Sequence, residues 1–198
     1  MKETGLEADT TSIDTSSPYL CPVCNSSIGM LCHEDNIPYF GNVLEVCISC
    51  TCGYKYVDTI ILDQKEPMRH SKQVSTECDM SVRVIRSTSG TVRVPEWGID
   101  IEPGPASEGY ITNVEGIIER IESVVHMAKK WSEQPEEHVK ADWLLRQMEM
   151  AREGKAAFTL VIEDPLGNSA IIGEDVQVTP LKAEEAENLH TGMFIVQK

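Results

Sequence analysis

The 198-residue chain carries 17 Lys and Arg against 32 Asp and Glu, a formal charge of −15, and seven cysteines. That balance argues against a surface built for phosphate backbones, which needs clustered cations. No apolar run approaches the roughly 20 residues of a bilayer-spanning helix, and this length supports one sizeable core plus a small appendage that needs outside help to fold.

Residues 1 to 19, MKETGLEADTTSIDTSSPY, are polar and aperiodic, as expected of a flexible tail. They lack the basic-then-apolar order of a secretory leader, so the expected location is the cytoplasm, where thiols stay reduced. From Pro38 to Leu62, short β-leaning runs flank a cysteine turn, which predicts a pair of antiparallel strands over NVLEVCI and YKYVDTIIL. DQKEPMRHSKQ, residues 63 to 73, reads as a charged link. MSVRVIRS and GTVRVPEWGIDIEPG then carry β-branched residues at period two, with Pro95 and Pro103 interrupting the second run.

At residue 111 the pattern turns helical. Thr112 reads as an N-cap with Glu115 as its capping-box partner, and Ile117, Ile118, Ile121, Val124, Val125 and Ala128 mark one apolar face to about Trp131. A second helix is predicted from Pro135 to Glu153 with Gly154 as its stop, its stripe being Ala141, Leu144, Leu145, Met148 and Ala151. Strands resume at AAFTLVIEDP, NSAIIG and GMFIVQ, so a helical hairpin at about 112–154 is inserted in a β domain spanning 65–198. The fold class is α+β, mainly β, with a zinc-ribbon finger over 20–64.

Six of the seven cysteines fall within residues 21 to 52. In a reducing compartment such density points to a metal rather than to disulfides. Cys21-Pro22-Val23-Cys24 has the spacing that turns two sulfurs toward one ion. The second pair is open: Cys47 and Cys50 have a two-residue gap, Cys50 and Cys52 a one-residue gap followed by the permissive Gly53. The favoured set is Cys21, Cys24, Cys50 and Cys52, with Cys47 as the substitute. Four thiolates leave no position for a water, so zinc here would be structural. His33 beside Cys32 reads as a solvated loop histidine rather than a spare ligand.

CPVC at 21 to 24, IPYFG at 37 to 41, CGY at 52 to 54, RS at 86 to 87, VEG at 114 to 116 and DPLGNS at 164 to 169 run nearly the length of the chain. In this order they resemble the ZPR zinc-finger family, although the family's usual second knuckle has a two-residue gap. The resemblance implies a zinc ribbon followed by a double-stranded β-helix domain with an inserted helical hairpin, in the single-module form of the archaeal members. It also implies a non-enzymatic protein that binds a client, translation elongation factor 1-alpha, as a folding or assembly factor.

Ile37, Pro38, Tyr39 and Phe40 are candidate partner contacts, with packing of the two rings as the alternative. Arg86, Asp164 and Asn168 form a second candidate patch, Asp164 reading foremost as part of a turn. Arg83, Arg86 and Arg93 are expected to pair locally or to make a ledge for an acidic partner segment. A nucleic-acid-binding ribbon is the rival function. Residues 21 to 78 hold four Lys or Arg and seven Asp or Glu, 4 − 7 = −3, which speaks against it.

Overall fold

The computed structural model describes residues 19–105 and 107–191. It divides between Asp63 and Gln64 into two compact units. The expected tail up to Pro18 and the expected strand at GMFIVQ lie outside the described residues.

The first unit is a three-stranded antiparallel sheet in the order β1 (Gly29–Ile37), β2 (Gly41–Ser49), β3 (Lys55–Ile61). The expected pair is therefore a triplet. β1, GMLCHEDNI, is acidic and lacks an apolar alternation, but it pairs with β2 along its whole length, from Gly29 opposite Ser49 to Ile37 opposite Gly41. The turn between them places Tyr39 and Gly41 at φ 76° and 78°. Asp63 clamps this turn, since its carboxylate accepts from the Asn42 amide at 2.9 Å and the Asn42 side chain at 3.1 Å. A Cβ on Gly41 would lie 2.2 Å from that carboxylate, so only glycine fits.

The second unit holds two antiparallel sheets. One has three strands in the order β10 (Ala170–Ile172), β5 (Arg83–Arg86), β8 (Tyr110–Asn113). The other has five, β11 (Gln177–Pro180), β4 (Met68–Val74), β9 (Phe158–Asp164), β6 (Thr91–Val94), β7 (Ile99–Ile101). The helices α1 (Val114–Trp131) and α2 (Pro135–Arg152) follow one another between β8 and β9, and a short α3 (Ala183–Glu187) follows β11. One core joins them: Phe158, Leu160 and Ile162 of β9, Val92 and Val94 of β6, Ile117, Ile118 and Ile121 of α1, and Leu144 and Met148 of α2. Trp97 stacks on Phe158 with ring centroids 4.5 Å apart.

Three sequence expectations change here. The charged link at 63–73 contains most of β4, which pairs with both β9 and β11. Its polar residues conceal the strand because their partners are ionic and lie outside it: buried Lys72 pairs with Asp79 at 3.0 Å, and Arg69 with the distant Glu163 and Glu185. Thr112 lies in β8 and is not the cap. Asn113 is, its side chain accepting from the Gly116 amide at 2.9 Å. The apolar stripe of α1 is buried only through Ile121, since Val124 and Ala128 are exposed and Val125 half-buried. The stop at Gly154 stands: φ is 65°, and the Lys155 amide returns to the Met150 carbonyl at 2.8 Å.

Candidate metal centre

Two tight turns of the first unit face each other through sulfur. In the first, Asn25 takes a left-handed φ of 57° and its amide bonds the Cys21 carbonyl at 2.9 Å, folding Cys21 and Cys24 to one side. In the second, between β2 and β3, Gly53 takes φ 93° and its amide bonds the Cys50 carbonyl at 3.0 Å. The two turns thus repeat one solution, a residue of permissive backbone placed directly after the last cysteine of each pair.

The sulfurs of Cys21, Cys24, Cys50 and Cys52 all lie within 4.8 Å of one another. Cys21 and Cys52 are 3.6 Å apart, Cys24 and Cys50 3.5 Å. A tetrahedral ion with sulfur bonds of about 2.3 Å needs separations of about 3.8 Å. The cluster therefore fits a single zinc ion. The Val23 amide points at the Cys21 sulfur at 3.4 Å, the kind of backbone donor that stabilises a thiolate.

The charges in this cluster also favour a cation. Hydrogen bonds from the Ser26 side chain and backbone lower the Cys24 thiol to about 6. At Cys52 the Tyr54 amide favours the thiolate, but desolvation and the sulfurs of Cys24, Cys50 and Cys21 outweigh it and push the thiol up to about 12. Four thiols this close cannot all ionise on their own, and a divalent ion reverses that balance.

Cys47 is not in the group. It sits inside β2, opposite Leu31 and Val57. Cys32 lies in β1 opposite Val46, His33 lies opposite Glu45, and Cys78 is exposed in the second unit.

The expected contact residues fall into two kinds. Pro38 and Tyr39 are exposed, Tyr39 at 49%, and Ile37 is half-buried; Phe40 is 8% exposed and turned inward. Arg86, Asp164 and Asn168 are buried, not a surface patch. Asp164 accepts from the hydroxyls of Ser87, Ser89 and Ser169 at 2.6 to 2.7 Å and from the amides of Leu166 and Asn168. The serines of this knot escape sequence reading because the carboxylate that gathers Ser87 and Ser89 lies more than 70 residues away, and the run Ser87-Thr88-Ser89-Gly90 looks like any polar turn. Gly167, at φ 67°, lets the DPLGNS loop approach the Glu66 carbonyl, which a Cβ would meet at 2.2 Å.

A polar groove of about 940 Å³ opens elsewhere in this unit, with Lys72 and Asp79 among its walls. Burial opposes ionisation of Asp79, but the Ser75 and Thr76 amides, the Thr76 hydroxyl and Lys72 override it and hold the carboxyl well below the usual range. Such a saturated carboxylate is fixed in one protonation state, unlike a general acid or base tuned to neutral pH.

A sheet built around two cysteine turns, in a chain that also carries an antiparallel β unit with a helical hairpin, defines a protein of the zinc-finger class. The family model described as the ZPR1 jelly-roll domain matches residues 78–192. A ZPR1-like protein of Pyrococcus horikoshii is 42% identical over 182 residues, 89% of this chain and 82% of the relative. One from Methanocaldococcus jannaschii is 38% identical, covering 89% and 90%. A zinc finger chaperone of Schizosaccharomyces pombe is 26% identical over 84% of this chain, which spans 37% of it. The chain belongs to the ZPR1 family, in the single-module form of its archaeal members. No helix of the described residues is long and apolar enough to cross a membrane.

Proposed function

We propose that this chain is a zinc-bound, cytoplasmic factor that binds a protein client, translation elongation factor 1-alpha, and assists its folding or assembly. The observation that carries the reading is the four-sulfur cluster in a chain related to a zinc finger chaperone. Cys21, Cys24, Cys50 and Cys52 hold the ion, and with four thiolates it has no open position for chemistry. The elongation factor is the client that the family resemblance implies.

Two domains divide the work, a finger over 20–64 and a β domain over 65–198. The β domain is a double-stranded β-helix, a reading supported by antiparallel pairing throughout, by two sheets sharing one core and by the jelly-roll description of the family. Ile37, Pro38 and Tyr39 make the finger's client contact. Tyr39 is a bulky residue held at positive φ with its ring half exposed, a conformation costing on the order of 1 kcal/mol that ordinary turn formation would avoid. Phe40, turned inward, and Asp164 and Asn168, enclosed within the serine knot, shape the loops that bear contacts rather than touching the client.

Capture of elongation factor 1-alpha by the zinc-loaded chain at moderate salt tests this. Tyr39→Ala should weaken capture by about tenfold with zinc retained, since aromatic anchors dominate protein interfaces. Failure of the wild-type chain to capture the factor, together with RNA binding that falls steeply with salt, would replace the client reading with the nucleic-acid one.

A further inference from the structure

We propose that Arg86 and Arg120, both held against the ring of Tyr110, form a two-guanidinium site for a carboxylate presented by an acidic segment of a protein partner. The placement follows from the fold. Arg86 of β5 stands opposite Tyr110 of β8, and its guanidinium carbon lies 5.6 Å from the ring centroid. Arg120, from the second turn of α1, brings its own to 4.1 Å from the same centroid.

Arg86 is 5% exposed. Its Nε donates to the Gly90 carbonyl at 2.8 Å and its Nη1 to the Ser107 hydroxyl at 2.9 Å, with the Glu108 carbonyl at 3.4 Å. Among the described residues Nη2 makes no hydrogen bond, and neither Arg86 nor Arg120 makes an ion pair. Arg69, Arg93 and Arg152 do. Among the described residues the exposed Arg83 and Arg146 lack one too, where water solvates them; Arg86 differs in being a buried guanidinium that shares a ring with a second cation and has no carboxylate partner. The proximity of Arg86 and Arg120 is unfavourable: burial foremost, and the Arg120 charge besides, pull Arg86 below its ordinary pKa. Asp164 opposes this shift from a distance, but its oxygens already accept five hydrogen bonds.

A carboxylate bridging the two forks would supply the missing charge and acceptors in the planar geometry that guanidinium prefers. The half-buried Tyr110 ring gives its aliphatic stem an apolar wall. Glu108 and Glu119, adjacent in sequence to the site, disfavour a doubly charged phosphate, so the singly charged carboxylate is the better match. The proposal deepens the protein-binding reading and rests on it.

The test uses the full-length, zinc-loaded protein with arginine Nε resonances observed by nuclear magnetic resonance. The probes are a capped Glu-Gly-Glu-Gly-Glu-Gly peptide, its Gln counterpart and inorganic phosphate. The Arg86 and Arg120 signals should shift with the Glu peptide and stay still with the Gln peptide. Arg120→Ala, an exposed position that the fold tolerates, should weaken binding about tenfold, while Arg146→Ala on the exposed side of α2 leaves it unchanged. Absence of shifts at Arg86 and Arg120, equal losses in the two variants, or tighter binding of phosphate than of the peptide would each overturn the assignment. If peptide binding fails while capture of elongation factor 1-alpha persists, the site is lost and the proposed function stands; if capture alone fails, the reverse holds.

Discussion

Among the described residues, four apolar side chains are buried in the first unit, Cys21, Ile28, Phe40 and Val43, and one of them is a proposed zinc ligand. In the second unit seventeen buried side chains interlock in a single cluster. At about 1.5–3 kcal/mol for each fully buried large apolar side chain, the second unit has the means to hold itself and the first does not. The β3 strand shows the same contrast, since six of its seven residues are exposed. What the finger lacks in core, a metal supplies: binding of a structural zinc is worth on the order of 10–16 kcal/mol in small fingers.

The largest effect that would sharpen this contrast is at the sulfurs. Cys50→Ser and Cys52→Ser should each abolish stoichiometric zinc and the finger's fold, while Cys47→Ser keeps both, as metal content and circular dichroism would report. Zinc loss from Cys47→Ser with retention in Cys52→Ser would restore the two-residue-gap knuckle.

Next in size is the centre of the serine knot. Asp164→Ala leaves three buried hydroxyls and two amides without their acceptor, and should cost the β unit on the order of 3 kcal/mol or more in denaturant unfolding. Zinc content should be untouched, because the two units draw on different sources of stability. Coupled loss of zinc would break the comparison.

The ion pair of Lys72 with Asp79 predicts a pH dependence confined to the β unit. Because the folded carboxyl titrates below its ordinary value, its stabilisation is present above about pH 4 and disappears as pH falls through the depressed value. Asp79→Asn should lower stability at neutral pH and flatten the acid limb. A variant with an unchanged acid limb would mean that Asp79 does not set it.

The smallest effect concerns the start of α1. Asn113→Ala should cost about 1 kcal/mol and Thr112→Ala clearly less, because only the Asn113 side chain caps the helix. Thr112 is instead packed against Gly116, where a Cβ would come within 2.1 Å of its hydroxyl.

The helices were legible because their apolar stripes and stops are local: Pro135 and Gly154 bracket α2 within the segment itself. The cysteine turns were legible through Gly53, whose backbone freedom marks the closing knuckle. β1 and β4 were not, since their partners lie across the sheet and their residues are acidic or basic rather than alternating. Phe40 and Tyr39 are neighbours with the same composition signal, and only the turn's geometry turns one ring in and the other out. The buried state of Arg86 and Asp164 was hidden for a similar reason, because a charged residue in a turn reads as exposed until its distant hydroxyl and carbonyl partners are placed.

Hydrogen exchange on the full chain, with zinc bound and after chelation, tests the central contrast most directly. Chelation should remove amide protection across β1, β2 and β3 and leave it intact in β4, β6, β9 and the two long helices. Unchanged protection in the first three strands, or loss spread evenly over both units, would contradict a finger held by its metal and a β unit held by its core.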